Sequence, residues 1–134
     1  MAYVAFAHLC TAASFRDGLL SILEAGLQQF EPDQLPYRMQ PTLAFQLILD
    51  EGDLGRAHPM TVDVTHQDGE RIAGLTFDFS MNRPAGADPA LPIAFTAIQL
   101  LPMDLRRDGL YAVRVTIDGQ EPTQLPFRVR ARTS

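Results

Sequence analysis

A glycine, one residue and a tyrosine running straight into an alternating strand leave few folds open to this chain. Residues 105–117 read Leu-Arg-Arg-Asp-Gly-Leu-Tyr-Ala-Val-Arg-Val-Thr-Ile. Tyr111, Val113, Val115 and Ile117 alternate with Ala112, Arg114 and Thr116, a period of two with one apolar face. Gly109 relieves backbone strain where the chain turns. A tyrosine at this offset begins a core strand and bonds back, through its hydroxyl, to the corner before it.

The offsets of Leu105, Gly109 and Tyr111 are those of the tyrosine corner of immunoglobulin-like sandwiches. Arg107 stands where an aspartate is usual, and Val113 stands in place of the disulfide cysteine. The expectation is an immunoglobulin-like or related β-sandwich, distinct from a true antibody domain. The following strand alternates Leu125, Phe127, Val129 and Ala131 with Pro126, Arg128, Arg130 and Arg132. For both apolar faces to share a side, the loop must be odd in length. Asp118 facing Pro122 gives a three-residue loop, with Val113 opposite Phe127 and Tyr111 opposite Val129. Pro126 has no N–H for a ladder, which places this strand at a sheet edge near that point.

The rest of the chain also reads as strands. Tyr3 to Cys10 is apolar on both sides apart from His8, which predicts a position near the sheet centre, followed by a small polar loop over residues 11–17. Leu43, Phe45, Leu47 and Leu49 alternate, as do Met60, Val62 and Val64. Gln67-Asp68-Gly69-Glu70 is a hairpin turn leading to Leu75, Phe77 and Phe79, with Ile72 out of phase and a bulge expected near Gly74. Residues 93–101 form a further strand. The total is about eight short strands in a single domain over residues 1–134, all-β in class. Residues 18–30 are ambiguous: Leu19, Ile22, Leu23, Leu27 and Phe30 fit a helical stripe, whereas Leu20 and Ile22 alternate as a strand with a bulge at Gly26.

The order of landmarks carries a resemblance. Phe6-Ala7-x-x-Cys10 precedes Asp17-Gly18-Leu19-Leu20-Ser21-Ile22-Leu23, then a proline loop, the Gln67-Asp68-Gly69 hairpin, Gly109-x-Tyr111 and the Asp118-Gly119 turn. This resembles a bacterial family of small domains of unknown function, over most of the chain. Leu19 replaces a usual lysine, and Thr11 stands where an aspartate often follows the cysteine. The resemblance implies a strand over residues 18–30 and no catalytic or binding residues.

Charge and cysteine usage narrow the function classes. The net charge is −5, with all eleven basic residues Arg; residues 101–134 carry six Arg against four acids. The acidic remainder argues against nonspecific nucleic-acid binding. No apolar run reaches the about 20 residues of a membrane span. Cys10 is alone, so no internal disulfide forms, and no basic segment or good lipidation motif precedes it. The expectation is a cytoplasmic protein without a cofactor.

No catalytic motif stands out. His8 and Cys10 point the same way on a strand, but no second cysteine completes a zinc site; the simpler reading is a buried thiol beside a hydrogen-bonded histidine. A Cys10–His66 pair lacks any feature that activates the thiolate. The acidic turns at 50–53, 68–70 and 118–121 suit calcium in composition, yet turn geometry alone explains Asp-Gly. The leading surface feature is an arginine face, Arg114, Arg128, Arg130 and Arg132, which suits an acidic partner or guards an edge strand. The chain therefore reads as a non-enzymatic module acting through an unidentified protein partner or as a homo-oligomer. The alternative is a small-ligand or carbohydrate-binding module on the sandwich loops, for which Phe15, Phe30 and Tyr37 supply the aromatics.

Overall fold

The alternating pattern produces eleven strands in the computed structural model, which describes residues 1–132. They are β1 (Tyr3–Arg16), β2 (Leu19–Ala25), β3 (Gln29–Phe30), β4 (Tyr37–Met39), β5 (Thr42–Leu49), β6 (His58–His66), β7 (Arg71–Phe79), β8 (Ile93–Leu100), β9 (Met103–Leu105), β10 (Gly109–Ile117) and β11 (Thr123–Val129). The count exceeds the expected eight because β3, β4 and β9 span only two or three residues, too few to show a period. One sheet runs β2-β1-β5-β8 and a second β3-β11-β10-β6-β7, while β4 and β9 pair separately. The large sheets pack as a β-sandwich. Leu43, Phe45 and Leu47 of the first and Met60, Val62, Val64, Val113 and Phe127 of the second are each at most 2% exposed.

The tyrosine corner forms as expected. Tyr111 is 1% exposed, and its hydroxyl donates to the Arg107 carbonyl at 2.7 Å. Gly109 adopts φ +140°, and a Cβ there would lie 2.5 Å from His66 Nε2. That ring is held by its own bond to the Asp108 carbonyl at 3.0 Å, so it cannot retreat freely.

The register after the corner differs from the expectation. Tyr111 faces Phe127, Val113 faces Leu125 and Arg114 faces Gln124. Asp118 and Gly119 both have positive φ, 54° and 67°, and the Gln120 N–H bonds to the Ile117 carbonyl at 3.0 Å. That is a two-residue turn of the primed type, not a three-residue loop. One extra residue is absorbed before Thr123, so the apolar faces still share a side. The edge expected at Pro126 is present: β3 pairs β11 only from Arg128 onward, leaving the proline on the open half.

β1 is longer than expected. Residues 11–16, read as a loop, continue the strand and pair with β2 through the Asp17-Gly18 turn. β1 is consequently not fully central: Tyr3 to Cys10 pair with β5 and Cys10 to Arg16 with β2, so only Cys10 has a neighbour on both sides. The strand reading of residues 18–30 holds, as β2 and β3 with a break at Gly26, φ +82°. In β7 the bulge falls at Ile72 itself, because Val64 faces Ala73 and Thr65 faces Arg71.

Two substitutions test the corner. Tyr111→Phe deletes one hydrogen bond and is expected to cost about 1 kcal/mol. Gly109→Ala forces a disallowed φ and a clash with His66, and is expected to cost about 2–3 kcal/mol. Denaturant unfolding measures both; an unchanged midpoint for either contradicts the role assigned to it.

Candidate functional site

The arginine face does not form one stripe. Arg114 lies opposite Gln124 on one side and Asp63 on the other, and Asp63 is ion-paired to Arg71 at 2.9 Å. Arg128 lies opposite Leu110, with the Ala112–Pro126 pair between it and Arg114. Four residues of strand, about 13 Å, separate the two arginines. Arg128, Arg130 and Arg132 do alternate along one side, and their backbone N–H groups bond to the carbonyls of Gln28, Phe30 and Pro32. Arg132 is ion-paired to Asp33 at 3.5 Å. Arg128 and Arg130 remain exposed, with no ion pair among the described residues. Arg128 stands at the mouth of a groove of about 350 Å³ between β1 and β11, lined also by His8, Leu27, Gln28, Leu110 and Pro126.

The candidate ligands of the sequence reading separate. His8 is exposed and stacks on Phe6 at 5.5 Å, whereas Cys10 is 1% exposed and its thiol donates to the Thr42 carbonyl at 3.3 Å. Burial pushes the Cys10 thiol up, which keeps it protonated and unreactive. His66 sits on the other sheet, edge-on to Tyr111 at 4.9 Å. The Phe30 and Tyr37 rings meet at 5.2 Å beside an apolar depression of about 190 Å³ lined also by Cys10, Leu27 and Met39.

Two of the three acidic turns do converge, around a residue whose role the sequence reading missed. Asp53, His58 and Asp118 form a cluster in which His58 is fully buried and Asp53 is 1% exposed. His58 Nδ1 donates to Asp118 Oδ2 at 2.8 Å, and Nε2 donates to the Asp53 carbonyl at 2.6 Å. Both partners are acceptors, so both ring nitrogens carry protons and His58 is an imidazolium. No lone pair is left for a metal, and the donor set does not fit one. Burial alone lowers the His58 pKa, but the Asp53 carbonyl and the Asp118 carboxylate outweigh it and raise it. Burial pushes the Asp53 carboxyl up, and it is overcome by hydrogen bonds from the Met1 ammonium and Arg56, which hold it below the usual range. No local sequence signal marks His58, whose two acceptors come from separate turns.

Three exposed large apolar residues share one element, the β1–β2 hairpin. Residues 11–25 pair with each other and with no other strand beyond Cys10. Phe15 is 49%, Leu19 72% and Leu23 60% exposed, and none belongs to the core cluster or packs against it. On one side the arm carries Leu19, Ser21 and Leu23; on the other, Phe15, Leu20 and Ile22. Among the described residues no helix is long and apolar enough to cross a membrane.

Fold and surface together define an all-β sandwich bearing an apolar arm and exposed Arg128 and Arg130 on the last strand and just past it. Residues 5–130 match the model of a family of unknown function (DUF6941), and the chain belongs to that family. The resemblance to a small domain of unknown function is thereby borne out. The C-terminal domain of Wzt is similar in fold, at 12% identity and a TM-score of 0.52, over 99% of this chain and 74% of that one. The Pseudomonas fluorescens alkylpurine DNA glycosylase AlkC, bound to DNA containing an abasic site analog, overlaps 77% of this chain and 28% of its own. Its 14% identity and TM-score of 0.36 carry no argument. No curated protein matches the chain.

The His58 cluster makes stability depend on pH with a definite sign. A histidine with a raised folded pKa contributes fully below its unfolded value of about 6.5. That contribution is lost as pH rises through the folded value. Asp53, lowered on folding, acts in the opposite sense and weakens the fold only as pH falls through its own folded value. The thermal midpoint of the native chain is expected to fall as pH rises above about 6.5, and the fall is expected to be shallower in His58→Gln. A pH series of melting curves decides this; equal slopes in both proteins contradict the buried imidazolium.

Proposed function

We propose that this chain is a non-enzymatic sandwich of immunoglobulin-like strand order that works through protein contacts, with the β1–β2 arm as its contact element. The order β1-β5-β8 against β11-β10-β6-β7 supports the immunoglobulin-like reading, since it parallels strands A-B-E and G-F-C-C′ of that fold. One observation carries the functional reading: the arm holds large apolar side chains that contribute nothing to the core. An isolated two-stranded ribbon is marginal in water, and contiguous exposed apolar surface marks an interaction site. Arg128 and Arg130 form a second surface, suited to carboxylate groups of a partner. The single buried thiol supports a reducing, cytoplasmic setting. The net charge of −5 speaks against nucleic acid as the partner.

A ligand-binding reading has one specific support, the Phe30–Tyr37 pair over its apolar depression. A sugar or other small ring stacking there would lose affinity on Tyr37→Ala.

The interaction reading is tested by Phe15→Ser, Leu19→Ser and Leu23→Ser combined. The triple variant is expected to melt within a few degrees of the native chain, because the three lie outside the core. It is expected to lose at least tenfold in affinity for any partner or for itself, measured by native mass spectrometry and by titration against a captured partner. Unchanged assembly overturns the arm as the contact element.

A further inference from the structure

We propose that the chain forms a two-fold dimer by antiparallel pairing of β2 with β2 of a second copy, centred on Ser21. This rests on the contact role given to the arm and names its occupant. The argument begins with hydrogen-bond direction. The Asp17-Gly18 turn has φ values of 53° and 75°, so Arg16 and Leu19 form its hydrogen-bonded closing pair. Pairs then alternate, which turns the backbone groups of Leu19, Ser21 and Leu23 toward β1. Those of Leu20 and Ile22 point away from β1, on the free edge of the sheet.

The side chains obey the same centre. Leu19-Leu20-Ser21-Ile22-Leu23 is an apolar palindrome about Ser21. Antiparallel pairing on that centre sets Leu20 against the second copy's Ile22 as a hydrogen-bonded pair, and Leu19 against its Leu23. Every apolar residue then meets an apolar residue, on both faces, and every outward backbone group finds a partner. A shift of two residues one way sets Leu20 against Glu24, whose φ of 55° breaks the ladder. A shift of two the other way sets Ile22 against Gly18 in the turn. Residues 19–23 carry no charge, and the nearest charges, Asp17 and Glu24, fall outside these pairs.

A self-complementary patch is what a two-fold interface requires, and this is why a second copy fits better than an unrelated strand. The pairing joins the two four-stranded sheets into one of eight strands. Five paired residues extend about 17 Å. The area buried falls below the about 1,200 Å² of a stable interface, so the dimer belongs to the weak class that exchanges with monomer.

Cysteine cross-linking reads the register directly, in the full chain with buried Cys10 replaced by Ser. Ser21→Cys places two thiols at a non-hydrogen-bonded pair with Cα atoms about 4.5 Å apart, within reach of a disulfide. It is expected to form a covalent dimer on mild oxidation. Leu19→Cys alone and Leu23→Cys alone are expected to remain monomers, and their equimolar mixture to cross-link. Sedimentation of the uncross-linked native chain from about 1 to 500 µM is expected to show monomer and dimer, with Leu23→Glu raising the dissociation constant at least tenfold. Self-cross-linking of Leu19→Cys or Leu23→Cys in preference to Ser21→Cys overturns the register. Open-ended polymer overturns the two-fold. A monomer at every concentration, with no Ser21→Cys dimer, overturns the second copy as occupant. If arm variants then still lose a different partner, the interaction reading stands without the dimer; if they lose nothing, both fall.

Discussion

The second sheet hangs on one hydroxyl. Tyr111 bonds back to the Arg107 carbonyl, which locks the corner from which β10 departs. The same corner is gripped from the neighbouring hairpin. Gln67 exchanges bonds with Leu110 through its N–H and its side-chain oxygen, each at 2.8 Å, and Arg107 pairs with Glu70 at 2.7 Å. The His66 ring fills the space that a side chain at residue 109 would occupy. Because β10 lies between β6 and β11, fixing its start fixes Tyr111 against His66 on one side and against Phe127 on the other. A one-residue slip would turn Val113, Val115 and Ile117 to solvent, so the corner and the alternating pattern enforce each other.

The far end of β10 is anchored by charge. Asp118 follows its last residue and accepts from His58, which itself opens β6. A buried cation is costly unless every proton finds an acceptor. Here both do, and buried Asp53 is in turn answered by the Met1 ammonium and Arg56. β10 is thus pinned by a neutral hydrogen bond at its start and an ion pair just past its end. The ion pair also explains why two acidic turns gather without forming a cation site: the positive charge is supplied by the chain.

Much of this was legible in the sequence, and the failures have physical reasons. The alternation at 43–49, 60–64 and 111–117 identifies strands and core residues correctly, because the alternating apolar side chains of each strand face the core. The hairpin register after Asp118 was missed because a primed two-residue turn followed by one extra residue gives the same facing as a longer loop. The arm was missed because residues 11–16 are small and polar in part, and their strand character comes from pairing with β2. The arginine stripe followed from the assumed register and dissolved with it at Arg114, while Arg128 and Arg130 kept their side of the strand. His58 carries no local signal, since its two acceptors come from separate turns.

The treatment of edges within this one molecule gives the arm its meaning. The exposed half of β11 carries Pro126, which has no donor to offer, and the other half is covered by residues 28–32. β7 carries Arg71 and Asp78 along its length, charges of the kind that discourage edge pairing. β2 has none of these devices between Leu19 and Leu23, and among the described residues it pairs with β1 alone. An unguarded edge with apolar residues on both faces is an aggregation hazard unless something occupies it. β8, the other outer strand of the same sheet, is likewise uncharged from Ile93 to Leu100, so what sets β2 apart is its palindrome about Ser21, and that symmetry points to a second copy as the occupant.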